Sequence, residues 1–136
     1  MSQRLQMLQV ARLARRSLGE AADLVERFVH SAAAPGGGYV DRGGRRDLYY
    51  TSFALDALVA LDRLDRAGPH LAATREWLAS FGEGERLDWV HRCCLARSWA
   101  ALPPSALPDD ARRRMAAAFA PHRAADGGYA SRRGAA

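Results

Sequence analysis

The stretch Asp47-Leu48-Tyr49-Tyr50-Thr51-Ser52-Phe53-Ala54-Leu55, preceded by Gly36-Gly37-Gly38-Tyr39, decides how this chain folds. An aspartate ahead of an apolar run is a strong helix N-cap, because its carboxylate accepts backbone N–H groups that the first turn leaves unpaired. Behind Asp47, residues Tyr50, Ala54, Ala57, Leu58, Leu61 and Leu64 follow the 3.6-residue stripe of a helix, predicted over Leu48 to Arg66. The glycines ahead of it cost too much backbone entropy for a helix interior and set a loop. Working downstream, Gly68-Pro69 reads as the stop of this helix, and a fourth spans Leu71 to Phe81. Asp88 caps a fifth helix, ended by Pro103-Pro104, and a sixth runs from Asp109 to Ala120. Upstream, Leu5, Leu8 and Leu13 mark a first amphipathic helix. Ser17-Leu18-Gly19-Glu20 has capping-box spacing, which predicts a second helix to Ser31 with Ala21, Leu24, Val25 and Phe28 on one face.

The pattern repeats. Gly37-Gly38-Tyr39 returns as Gly127-Gly128-Tyr129, an offset of 90 residues, with the glycine loop Gly82-Glu83-Gly84 between them. Asp47 and Asp88 are 41 residues apart. The unit is a loop, a helix, a short link and a second helix. Such hairpins stack side by side, because one hairpin cannot bury its own apolar face.

Composition agrees. Ala (28), Arg (20) and Leu (16) make up 64 of 136 residues, while Val and Thr together number only eight and Ile is absent. Ala, Leu and Arg favour helix and β-branched residues favour strands, so sandwiches, strand barrels and parallel sheets are excluded. With 49% hydrophobic and 26% charged residues the chain is not of the disordered class. The expectation is a single all-α domain of about six helices over residues 1–136. The net charge of +5, carried entirely by Arg, attracts anions. Arg112-Arg113-Arg114 is a basic run, yet no helix-turn-helix, zinc finger or stacking platform accompanies it, and no nucleic-acid partner is expected. Cys93 and Cys94 are adjacent within a helix and read as reduced thiols, which points to the cytoplasm. No run approaches the length of a membrane span, and Arg4 to Arg16 reads as an Arg-studded amphipathic surface helix, with a targeting helix as the alternative.

Gly36-Gly37-Gly38-Tyr39 followed by Asp47-Leu48-Tyr49-Tyr50-Thr51, with Asp126-Gly127-Gly128-Tyr129 opening a further unit, resembles the repeat shared by protein prenyltransferase β subunits and squalene/hopene-type cyclases. The resemblance covers residues 17 to 130, and its middle repeat is degenerate. It implies an α/α toroid, with post-loop helices on an inner ring around an aromatic isoprenoid pocket. About six helices make a partial ring, and the end at Ser131-Arg132-Arg133-Gly134-Ala135-Ala136 reads as truncation after the third loop. Open ring ends expose apolar faces, so the expectation is either self-association or a partner subunit, or else a large apolar surface near Met115 and Phe119.

In the transferase branch, the resemblance implies a zinc ion held by an Asp-x-Cys pair and the His of a Tyr-His-Thr run. Here Asp47 matches the Asp, Tyr49 stands at the Cys position and Tyr50 at the His position. Phenols, with a pKa near 10, are poor zinc ligands at neutral pH. In Asp88-Trp89-Val90-His91 the histidine falls at the step after its cap that Tyr50 takes after Asp47, and Cys94 follows at helical spacing. No repeat supplies the whole set, so no cofactor is expected for this chain, and zinc only where the site is completed elsewhere. The cyclase branch needs an Asp-x-Asp-Asp acid or an Asp-Asp-x-x-Asp metal motif, and neither occurs. For an isoprenoid diphosphate, the candidates are Arg45 and Arg46 (with Arg42) for the phosphates, Asp47 and His91 at the helix starts, and Tyr49, Tyr50, Phe53, Trp89 and Trp99 for the chain. Each has a plainer role: Asp47 and Asp88 as caps, His91 as a hydrogen-bonded inner-helix residue, the aromatics as core, the arginines as solvated loop. Two functions follow: a prenyltransferase-like protein binding a prenyl diphosphate, or a non-catalytic helical-repeat binding or scaffold module.

Overall fold

The computed structural model describes residues 3–131, with side chains described from residue 6 onward except at 12 and 14–17. The order is α1 (Gln3–Leu18), α2 (Glu20–Ser31), β1 (Tyr39–Val40), β2 (Arg46–Asp47), α3 (Leu48–Ala60), α4 (Gly68–Ala79), α5 (Trp89–Ala101) and α6 (Asp109–Phe119), with 3-10 turns at Leu64–Ala67, Pro104–Ala106 and Ala120–His122. Helix accounts for 65% of residues, and the strands only close a loop, so the chain is all-α. β1 and β2 pair antiparallel, Tyr39 opposite Asp47 and Val40 opposite Arg46.

α3 and α5 form the centre. Asp56 Oδ2 accepts from Arg97 Nη2 at 2.6 Å, and Asp47 and Asp88 both reach His91. Both cross-links join residues on helices whose caps are 41 positions apart, so the two helices run parallel and in register, one repeat from each other. Their seam admits small side chains. Ser52 and Ser98 are fully buried and return their hydroxyls to the helix carbonyls of Tyr49 (2.8 Å) and Cys94 (2.8 Å). Leu55, Leu58, Leu78 and Leu95 fill the core around the seam.

The repeat is visible bond for bond in the loops. Ala34 N–H donates to Gly38 O (2.9 Å), Gly37 N–H to Ala34 O (3.1 Å) and Val40 N–H to Ala32 O (2.9 Å). Ninety residues on, Ala124 donates to Gly128 O (2.9 Å), Gly127 to Ala124 O (3.0 Å) and Ala130 to His122 O (2.9 Å). The middle loop differs, closing through Gly84 N–H to Phe81 O (3.0 Å) and Leu87 N–H to Gly84 O (3.1 Å). Tyr39 is 1% exposed and Tyr129 58%. The first loop is covered by α3 and α4; the third has no such cover among the described residues. The expected loop through Arg133 extends past those residues.

Several boundaries differ from the sequence reading. α1 continues through Leu18, and the cap of α2 is Gly19 at φ +47, with no side-chain hydrogen bond, so the spacing at Ser17 marks no helix start. α3 stops at Ala60 rather than Arg66. Asp62 takes a left-handed conformation (φ +58) and Arg63 N–H folds back to Leu58 O at 2.8 Å, the wrap that commonly ends a helix. Gly68-Pro69 begins α4 instead of ending its predecessor, since proline's missing N–H costs nothing in a first turn. α5 and α6 fall where their caps and prolines predict.

The largest correction concerns α2. Ala21, Leu24, Val25 and Phe28 share a face, but it points outward, with Phe28 74% exposed, while Ala22 and Val29 are buried. Ion pairs help to hold this orientation: Arg63 reaches Asp23 (2.6 Å) and Glu26, and Arg66 also reaches Glu26 (3.3 Å). Where an apolar surface near Met115 and Phe119 was expected, the structure has a small open hollow of about 190 Å³ lined by Trp99, Leu107, Met115, Ala116 and Phe119. Met115 is buried, and Phe119 is half-buried against Trp89, with ring centres 5.4 Å apart.

Candidate functional site

Two features flank α3, one on its α5 side and one on its α2 side. The first is a carboxylate–imidazole–carboxylate cluster. Asp47 Oδ1 accepts from Tyr49 N–H (2.8 Å) and Tyr50 N–H (3.1 Å), and Asp88 Oδ1 accepts from His91 N–H (2.9 Å). Each cap thus spends one oxygen on its own helix and turns the other to the same imidazole. His91 Nδ1 lies 2.6 Å from Asp88 Oδ2, and Nε2 lies 3.5 Å from Asp47 Oδ2. The Asp88 hydrogen bond, with help from Asp47, raises the His91 pKa above its ordinary 6.5. The Asp88 carboxyl is lowered from 3.8, chiefly by the backbone N–H of His91 and then by its ring. The cluster staples two neighbouring helices.

This geometry does not fit zinc. Two ligands on one tetrahedral zinc, each about 2.0 Å from it, sit about 3.3 Å apart, so the 2.6 Å Asp88–His91 contact leaves no room between them. Cys94 is buried in the seam and Cys93 half-buried, and burial pushes both thiols above their ordinary pKa, away from the thiolate that binds metal. Among the described residues no three His, Cys, Asp or Glu side chains are placed to hold a metal ion.

The second feature is an open groove of about 590 Å³ between α2 and α3. Val25, Phe28 and Val29 form one wall, and Tyr50, Phe53, Ala54 and Ala57 the other; Tyr39, Val40, Asp41 and Arg42 close one end. The outward face of α2 is therefore the wall of a groove. Tyr49 stands edge-on to both Tyr50 (5.8 Å) and Phe53 (4.9 Å), and the Arg97 guanidinium lies 5.0 Å from the Phe53 ring centre. Trp89 and Trp99 are elsewhere. Trp89 packs on Phe119 and His122, and Trp99 belongs to the core.

The three loop arginines separate by role. Arg46 Nη1 donates to Gly36 O (2.9 Å), and its guanidinium lies 4.8 Å from the Trp77 ring centre, so it clamps the glycine loop to α4. Arg45 is exposed and pairs with Asp41 (3.3 Å), whose carboxyl is held below its usual range mainly by the Arg45 backbone N–H. Only Arg42 lines the groove.

Two residues have roles that the sequence reading did not assign, although Thr51 stands in its central motif. Thr51 and Thr74 are the only threonines in the chain, and both are fully buried. Thr51 Oγ1 accepts from Tyr39 N–H (2.9 Å), and Thr74 Oγ1 from Gly38 N–H (2.9 Å). They dock the glycine loop on α3 and α4 and thereby fix one end of the groove. Their rarity was the available signal. Compared with family models, with curated proteins and with solved structures, the chain has no match.

Proposed function

We propose that this chain is a prenyltransferase-like helical-hairpin unit, of α/α-toroid type, that holds an isoprenoid chain in the groove between α2 and α3. The observation that supports this is the aromatic groove itself. It has the volume of a small-molecule site, and its walls of Phe28, Tyr50 and Phe53 suit a branched, apolar, unsaturated chain. A diphosphate at the loop end would meet Arg42, with Arg45 nearby in sequence. Arg46 is committed to Gly36 and Trp77 and is not assigned to the ligand.

The alternative, a non-catalytic helical-repeat module, draws on a different observation. Asp47, Asp88 and His91 are occupied with one another and with helix capping, and burial raises the pKa of both cysteines. With these side chains committed to one another, this second reading is one of binding. Calorimetry with farnesyl diphosphate tests it. Binding should weaken about tenfold in Phe53→Ala, the scale of a lost aromatic contact in an apolar site, and remain near wild type in Arg46→Lys. Absence of binding, or binding indifferent to both Tyr50→Ala and Phe53→Ala, would leave only the module reading.

A further inference from the structure

Beyond the groove, the N-terminal helix presents apolar side chains to solvent. Met7 (66% exposed), Val10 (66%) and Leu13 (78%) recur every third position along α1 and lie on one side of it, with Leu18 also exposed at its end. The sequence of α1 contains four arginines and no acidic residue. An isolated apolar stripe of this size needs an occupant, and the charge decides which. Pairing α1 with the α1 of a second copy would set two helices of sequence charge +4 against each other with no carboxylate from either. An anionic bilayer has the opposite property: its headgroups attract the arginines, and its acyl boundary accepts the apolar stripe. At 16 residues α1 is about 24 Å long, and no helix among the described residues is long and apolar enough to cross a membrane. The fitting geometry is a helix lying in the plane of the interface.

We propose that α1 is a docking helix for anionic lipid surfaces, inserting Met7, Val10 and Leu13 below the headgroups. α1 supplies four of the five net positive charges of the chain, so the attraction to an anionic surface is concentrated on this helix. This proposal is independent of what the groove binds.

The test uses the whole chain and sedimentation with vesicles of phosphatidylcholine alone or with about one-third phosphatidylglycerol. Binding should be about tenfold stronger to the anionic vesicles and should fall when salt rises from about 0.1 M to about 0.5 M. Val10→Asp and Leu13→Asp should lose it while keeping wild-type helicity by circular dichroism. In Leu13→Trp, the emission excited selectively at the new tryptophan, in a background with the native tryptophans replaced by phenylalanine, should shift to the blue on adding anionic vesicles. Equal binding to both vesicle types, wild-type binding by the aspartate variants, or no spectral shift would each overturn the proposal. So would a vesicle-free oligomer that Leu13→Asp converts to monomer, since the occupant would then be a second copy.

Discussion

Replacing Thr51 with valine removes one hydroxyl and almost no volume, and it should destabilise the chain measurably. The Oγ1 of Thr51 accepts from Tyr39 N–H at 2.9 Å and donates to Asp47 O at 2.7 Å, at a site with no solvent access. Valine leaves Tyr39 N–H buried without an acceptor. That penalty is about 1–3 kcal/mol, whereas the Asp47 carbonyl keeps its place in the first helical turn. Taking about 2 kcal/mol, and a melting shift of roughly 3–5 °C per kcal/mol for a domain of this size, Tm should fall by about 6–10 °C. Thr51→Ser keeps the hydroxyl and loses one methyl, at a cost of about 1 kcal/mol, so its Tm should lie between. Thermal unfolding followed by circular dichroism measures both. If Thr51→Val is as stable as wild type, or Thr51→Ser is as damaging as Thr51→Val, the hydroxyl is not the pin that holds the glycine loop.

Gly37→Ala should be worse: a Cβ there would lie 2.3 Å from the Ala73 carbonyl carbon, on a backbone at φ +91, and a loss of about 3 kcal/mol should appear as a large drop in the urea midpoint. The Asp88–His91 pair should make stability depend on pH at both ends. His91 has a raised pKa in the folded state, so its contribution is complete below its unfolded value of 6.5 and fades as pH rises through the folded value; Asp88 has a lowered one, so its contribution is complete above 3.8 and fades as pH falls through the folded value. The window in which both act is therefore pH 3.8–6.5, and the alkaline loss should be smaller in His91→Ala than in wild type by thermal melts across pH.

Much of this molecule is local, and the sequence alone determined that part. The helices, the caps at Asp47 and Asp88, and the 41- and 90-residue offsets depend on hydrogen bonds within a turn or two, so they are written in neighbouring residues. The candidate site residues were visible as types, since aspartate, histidine, arginine and tyrosine stand out among alanine and leucine. Their partners were not visible. Arg46 turns away from the groove because Trp77, 31 residues later, offers its ring face and Gly36 its carbonyl. His91 ends between two carboxylates only because α3 and α5 pack in parallel register. α2 carries apolar residues on more than one face, and periodicity alone favours the larger set; only the tertiary structure, through the Arg63 and Arg66 ion pairs and the packing of Ala22 and Val29, decided which face is buried and left Phe28 to line a groove. The same holds for the threonines. A hydroxyl's worth here lies in the backbone N–H it meets across the fold, and that meeting has no trace in the residues beside it.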